Sequence, residues 1–145
     1  MRHAIQNYLE DLAVGMEASH SKTVTETDLE VFADLSGDNN PVHMDEAFAA
    51  TTPFRSRIVH GMLTASLIST ILGTKLPGPG AVYVSQSLRF RAPVRLGDTV
   101  VARATVSEID LDRKRARLAC CCMVGETVVL DGEALVMVPS RHGSN

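Results

Sequence analysis

The chain has 145 residues, with 14 Lys and Arg against 17 Asp and Glu, a formal charge of −3 and 45% hydrophobic residues. That length suits one domain with its own core and is short for two, so the sequence reads as a single domain over 1–145 with a core from about 8 to 138. Charges of both signs are spread along it without a basic stripe, which argues against nucleic acid, and the longest apolar run, Met62 to Leu72, is interrupted by Thr64, Ser66, Ser69 and Thr70 and is too short for a bilayer.

Met1 to Asp11 lacks the apolar stretch and cleavage site of a secretory signal, and His142-Gly143-Ser144-Asn145 is not a peroxisomal address, so a cytoplasmic protein with no membrane partner is the expectation. The three cysteines are consecutive, Cys120-Cys121-Cys122. That is neither a disulfide framework nor a metal-ligand spacing, and they read as small apolar strand residues.

In chain order, Gly15 marks a turn, and the polar mixture from Met16 to Val24 suits a short edge strand. Thr25 followed by Glu26-Thr27-Asp28 is a capped, acidic first turn, and Leu29, Phe32, Ala33 and Leu35 form the apolar face of a short helix. That helix runs into Gly37-Asp38-Asn39-Asn40-Pro41-Val42-His43. Pro41 has no N–H and disfavours helix at Asn40, so the stretch from Asp38 to His43 is expected to be a bent loop. Extended, it would hold the two side chains on the order of 16 Å apart, whereas a curled loop lets both reach one water molecule. Asp38 and His43 are therefore the candidate working pair; the same composition is also that of an ordinary turn.

Asp45 is placed to cap a second short helix through Ala50, ended by Thr51-Thr52-Pro53. After an irregular stretch from Phe54, a helix apolar nearly all round spans Gly61 to Leu72, and such a helix is buried on most sides. The remainder reads as strands: Ala81 to Arg91 with its even positions inward and Gln86 the one strongly polar residue on that face, then Thr99 to Val106, Arg115 to Met123 and Thr127 to Val138. Asp131-Gly132 suggests a bulge. Short turns between consecutive strands imply an α+β architecture, a curved antiparallel β-sheet wrapped around the long central helix.

With these elements placed, the chain resembles the MaoC-like (R)-specific enoyl-CoA hydratases of the hot dog fold. Phe32 and then Gly37-Asp38-Asn39-Asn40-Pro41-Val42-His43 fit that family's Gly-Asp-x-Asn-Pro-x-His signature, and Ile58-Val59-His60-Gly61-Met62-Leu63-Thr64-Ala65-Ser66-Leu67 is similar to its segment opening the central helix. The resemblance implies reversible syn hydration of a trans-2-enoyl thioester to the (R)-3-hydroxyacyl thioester. Asp38 and His43 then hold and activate the water, and the Gly61 N–H donates to the thioester oxygen. Ser69 matches a serine that helps orient the site, Asn40 belongs to the signature, and His60 and Gln86 are further orienting candidates. The chemistry suits these groups independently. Hydration needs a proton taken from water and one delivered to carbon, and the charge that develops on the thioester oxygen is met by a donor at a helix N-terminus.

Other roles remain open at this stage. Asp38, His43 and His60 have no diagnostic metal spacing and no metal or redox cofactor is expected, coenzyme A arriving with the substrate. Ser69 and Thr64 are equally suited to bonding the carbonyl four residues back, and Gln86 to a loop backbone. Dehydratases of fatty-acid synthesis and many thioesterases of this fold carry an acidic residue on the central helix, and Gly61 to Thr74 has none. The alternatives are a dehydratase subunit acting on acyl carrier protein substrates or a non-catalytic acyl-thioester binding module. An exposed sheet edge and the resemblance both point to a homodimer. Arg55, Arg57, Arg89 and Arg91 are candidates for carrier phosphates.

Overall fold

A computed structural model describes residues 7–142; the extreme ends of the two terminal readings lie outside them. A single 3-10 turn, Leu9–Asp11, precedes β1 (Glu17–Thr23), α1 (Glu26–Ser36), α2 (Pro41–Met44), α3 (Glu46–Ala50) and the long α4 (Gly61–Thr74). Then come β2 (Val82–Gln86), β3 (Arg89–Phe90), β4 (Thr99–Asp110), β5 (Arg115–Val124) and β6 (Thr127–Met137). The strands form one antiparallel sheet in the order β1-β4-β5-β6-β2, with β3 also paired to β6.

The two-residue period of the sequence becomes the inner face of the sheet. Val100, Ala102, Ala104 and Val106 of β4, Leu118 and Cys122 of β5, and Ala134 and Val136 of β6 are all buried. α4 lies on that face against β1, β4 and β5. Its Leu67, Ile68, Ile71 and Leu72 are buried there, each worth about 1.5–3 kcal/mol in apolar area removed from water. The small Ala and Cys residues of β4 and β5 let the helix sit close to the sheet. α4 is not covered all round, however: Met62, Ser66, Ser69 and Gly73 form an exposed stripe.

Two strand expectations are corrected. Ala81 to Arg91 is not one strand with a buried even face, because it breaks into β2 and β3, and Val82, Val84 and Phe90 are exposed. β2 is an edge strand outside the group that α4 mainly packs on, and its residues from Val82 to Ser85 are exposed. The bulge of β6 falls at Val129, between the pairs Cys122 with Leu130 and Met123 with Val128. Gly132 instead permits a close approach, since a Cβ there would lie 1.8 Å from the Ser87 carbonyl oxygen.

Candidate active site

The site is built on the connection between α1 and α4. The Thr25 side chain accepts from the Asp28 N–H and the Asp28 carboxylate accepts from the Thr25 N–H, a reciprocal cap that fixes the start of α1. α1 ends at Gly37 in the left-handed region, φ 82°, which turns the chain sharply at little steric cost. Asp38 follows, its carboxylate accepting from the Asn40 N–H at 3.3 Å.

The loop then differs from expectation in one respect. Asn40 caps a one-turn helix, its side chain accepting from the Val42 N–H at 3.1 Å, and Pro41 occupies the first helical position, where a missing N–H costs nothing. His43 sits on that turn. Asp38 remains outside it, so the bend lies at Asn40 and brings carboxylate and imidazole together. Side-chain ligand atoms of Asp38, His43 and His60 all lie within 4.8 Å of one another.

Backbone carbonyls set both imidazole tautomers. Ile58 O is 2.8 Å from His43 Nδ1, and a carbonyl can only accept, so Nδ1 carries the hydrogen and Nε2 presents a lone pair. By the same reasoning His60 Nε2 donates to the Asp38 carbonyl at 2.9 Å. His60 is 1% exposed, its ring 4.1 Å from that of His43 and 4.9 Å from Phe32. It is therefore a positioning residue that holds the Asp38 backbone. Burial pushes the His43 pKa below the ordinary histidine value, ahead of the opposing pull of the Ile58 carbonyl; the neighbouring His60 adds to the depression and the Asp38 carboxylate opposes it.

Arg57 escaped the sequence reading as a site element. It is buried rather than free for a phosphate, its Nε donating to the His43 carbonyl at 2.6 Å and an Nη1 hydrogen bond of 2.8 Å reaching Glu26 on α1. The guanidinium thus ties α2 to α1 behind the working pair. Only side-chain chemistry is visible in a sequence; the carbonyls that orient His43 and receive Arg57 carry no residue-specific signal.

Asp38 and His43 open onto a cavity of about 520 Å³ that is also lined by Gly61, Thr64, Val129 and Leu130. Gly61 is the first residue of α4, where the N–H has no intrahelical acceptor and the helix dipole is positive. Val129 and Leu130 reach the cavity together because of the β6 bulge. Arg91 lines it as well, and the other candidates stand apart from it. Ser69 is exposed two turns along α4, and Gln86 accepts from the Tyr83 hydroxyl and donates to the Ser87 carbonyl. Asn40 serves as a cap. Arg91 is paired with Asp131 at 2.6 Å, while Arg55 and Arg89 are exposed. Among the described residues Asp38, His43 and His60 are the side chains in reach of a common cation, but each imidazole already spends one nitrogen on a carbonyl.

Comparison with known proteins extends this likeness along the chain. Residues 11–120 match the family model described as MaoC like domain. A 3-hydroxybutyryl-CoA dehydratase of Methylorubrum extorquens is 58% identical over 93% of this chain and 86% of its own length. An (R)-specific enoyl-CoA hydratase of Rhodospirillum rubrum is 53% identical over 94% and 95%. The solved structure of an unliganded (R)-hydratase from Pseudomonas aeruginosa superposes with a TM-score of 0.88 at 44% identity, covering 94% of this chain and 88% of that one. The antiparallel sheet around α4 is thus the hot dog fold, and the loop that joins Asp38 to His43 sits within a likeness that spans nearly every element. On the family match and these identities alike, the chain belongs to the MaoC-like hydratases.

Proposed function

We infer that the protein is an (R)-specific enoyl-CoA hydratase, a hydro-lyase that interconverts trans-2-enoyl-CoA and (R)-3-hydroxyacyl-CoA. The observation that carries the residue assignment is the His43 lone pair, fixed by Ile58, opening onto the same cavity as Asp38 and the first turn of α4.

In this reading one water lies between the Asp38 carboxylate and His43 Nε2. Nε2 takes a proton as the water oxygen bonds to C3, and the alkene electron pair moves toward C2 and the thioester oxygen. The Gly61 N–H meets that developing charge, a contribution of roughly 3 kcal/mol for a preorganised donor. The proton then returns to C2 on the same face through the Asp38–His43 pair. Water enters whole, addition is syn, and both side chains end as they began, so the balance needs no metal or redox cofactor. General acid–base groups of this kind supply about 10² to 10⁴ in rate each.

The free edge of β2, with exposed Val82, Tyr83 and Val84, supports a homodimer, and an acyl-CoA substrate fits a cytoplasmic setting. Among the described residues no helix is long and apolar enough to cross a membrane.

Asp38→Asn and His43→Gln are expected to keep the fold and lower crotonyl-CoA hydration by at least about 10². Spectrophotometric loss of the enoyl band, product chirality and a parallel assay with the acyl carrier protein thioester test the assignment. Near wild-type turnover in either variant, or an (S) product, refutes it.

A further inference from the structure

His43 rides on α2, a single turn of four residues, Pro41–Met44. A turn that short does not hold its own shape, because fixing it costs more conformational freedom than its few hydrogen bonds return. Its later carbonyls also lack partners within the turn. The Pro41 carbonyl takes the Asp45 N–H at 2.9 Å, and the next two are met from a distant strip of chain. The Ile58 N–H donates to the Val42 carbonyl at 3.2 Å, and Arg57 Nε donates to the His43 carbonyl at 2.6 Å. Ile58 in turn receives His43 Nδ1, so two successive residues grip two successive residues of α2. The strip is itself anchored, Ile58 bridging to Arg95 and the Val59 N–H donating to the Val94 carbonyl at 2.7 Å.

Within that strip Arg57 is the residue that grips α2 through its side chain. Its guanidinium, 8% exposed, reaches in two directions, Nε to His43 and Nη1 to Glu26 in the first turn of α1. Taking a charge that far out of water is costly, and Glu26, 64% exposed, offsets little of it. A methionine would fill similar space without that cost, so stability does not account for the arginine. Arg57 also lies outside the cavity lining, so contact with substrate does not account for it either. We propose that Arg57 is a positioning residue for the reaction, holding α2 so that the His43 ring stays on the Ile58 carbonyl with its lone pair toward the cavity. The inference rests on the hydratase reading and adds to it a residue that acts without touching substrate. Without the grip α2 shifts, the ring leaves Ile58, and its hydrogen is free to move to Nε2, which removes the lone pair that the water needs. Lysine keeps the charge and a donor but cannot span His43 and Glu26 with one nitrogen.

The test measures kcat and KM for crotonyl-CoA hydration, per folded molecule and well below the melting temperature, in full-length wild type, Arg57→Met and Arg57→Lys. The His43 ring nitrogens are followed by NMR and assigned by their loss in His43→Gln. In Arg57→Met kcat is expected to fall about 10- to 100-fold with KM kept within about twofold, and the ring to pass from the Nδ1–H form to a mixture. Arg57→Lys should recover at least about threefold of the lost kcat. A merely structural arginine would lower the melting temperature and leave kcat and the tautomer as in wild type; that result, or a rise in KM that accounts for the whole loss, overturns the proposal. If Arg57→Met does not fold, Arg57→Lys decides: kcat about 3- to 10-fold below wild type with KM kept supports the proposal, and kcat within about twofold with an unchanged tautomer overturns it. A wild type without enoyl-CoA turnover overturns the hydratase reading, whereas a His43 tautomer that Arg57→Met leaves unchanged overturns this proposal alone.

Discussion

His43 shows how little of a proposed catalytic base lies in its own side chain. The Ile58 carbonyl chooses its tautomer, Arg57 holds its backbone carbonyl, and burial next to His60 keeps it neutral. Because the proposed base must be uncharged, kcat/KM for hydration is expected to stay level as pH falls through the ordinary histidine value of 6.5 and to drop only at lower pH. The stability linkage has the same sign. Below 6.5 the unfolded chain takes up a proton that folded His43 still refuses, so the contribution present above 6.5 is lost as pH falls toward the depressed native pKa. A pH–rate profile, with the His43 ring followed by NMR, checks both. An acidic limb centred above 6.5 would contradict them.

Among the elements, the connection from α1 to α4 and the β5–β6 hairpin divide the work of shaping the site. The first brings Asp38 and His43 together through a left-handed Gly37 and a proline-started turn. The second supplies the floor, because the bulge at Val129 sends two neighbouring side chains inward. The Val129 carbonyl also accepts from the Arg91 N–H at 2.8 Å, which fixes the strand carrying Phe90 beside the cavity. Gly132 is where the β2–β3 junction crosses β6 most closely. Gly132→Ala would set a Cβ against a backbone oxygen that cannot swing away, and a loss of about 2–4 kcal/mol in stability is expected, read by denaturant titration. A change below about 0.5 kcal/mol would show that the junction yields freely.

At the scale of the whole molecule, the sheet is covered by α4 from β1 through β5 and exposed at β2. Val82 is 58% exposed and Val84 40% on a strand whose outer edge has no partner among the described residues. A second copy pairing there would remove both the edge and the apolar surface from water. Sedimentation at micromolar concentration is expected to give twice the 15.6 kDa chain mass, and Val84→Lys to shift the equilibrium toward monomer. A wild-type protein that sediments as a monomer contradicts the homodimer.

Much of this was legible without coordinates, and for local reasons. The cap at Thr25, the stop at Gly37, the central helix and the alternation in β4 are set by neighbours in the chain, and the Gly-Asp-x-Asn-Pro-x-His run carries the resemblance to the MaoC-like hydratases. Gln86, Ser69, Arg57 and Thr64 were not so readable. Whether a polar side chain bonds its neighbours, faces solvent, braces a loop or lies buried without a partner depends on segments far away in sequence. Even alternation failed at β2, where nothing in the chain arrives to cover the face that the pattern marks as inner. The sequence by itself determined which residues prefer to leave water and where the chain must bend; tertiary packing alone decided which of them found something to be buried against.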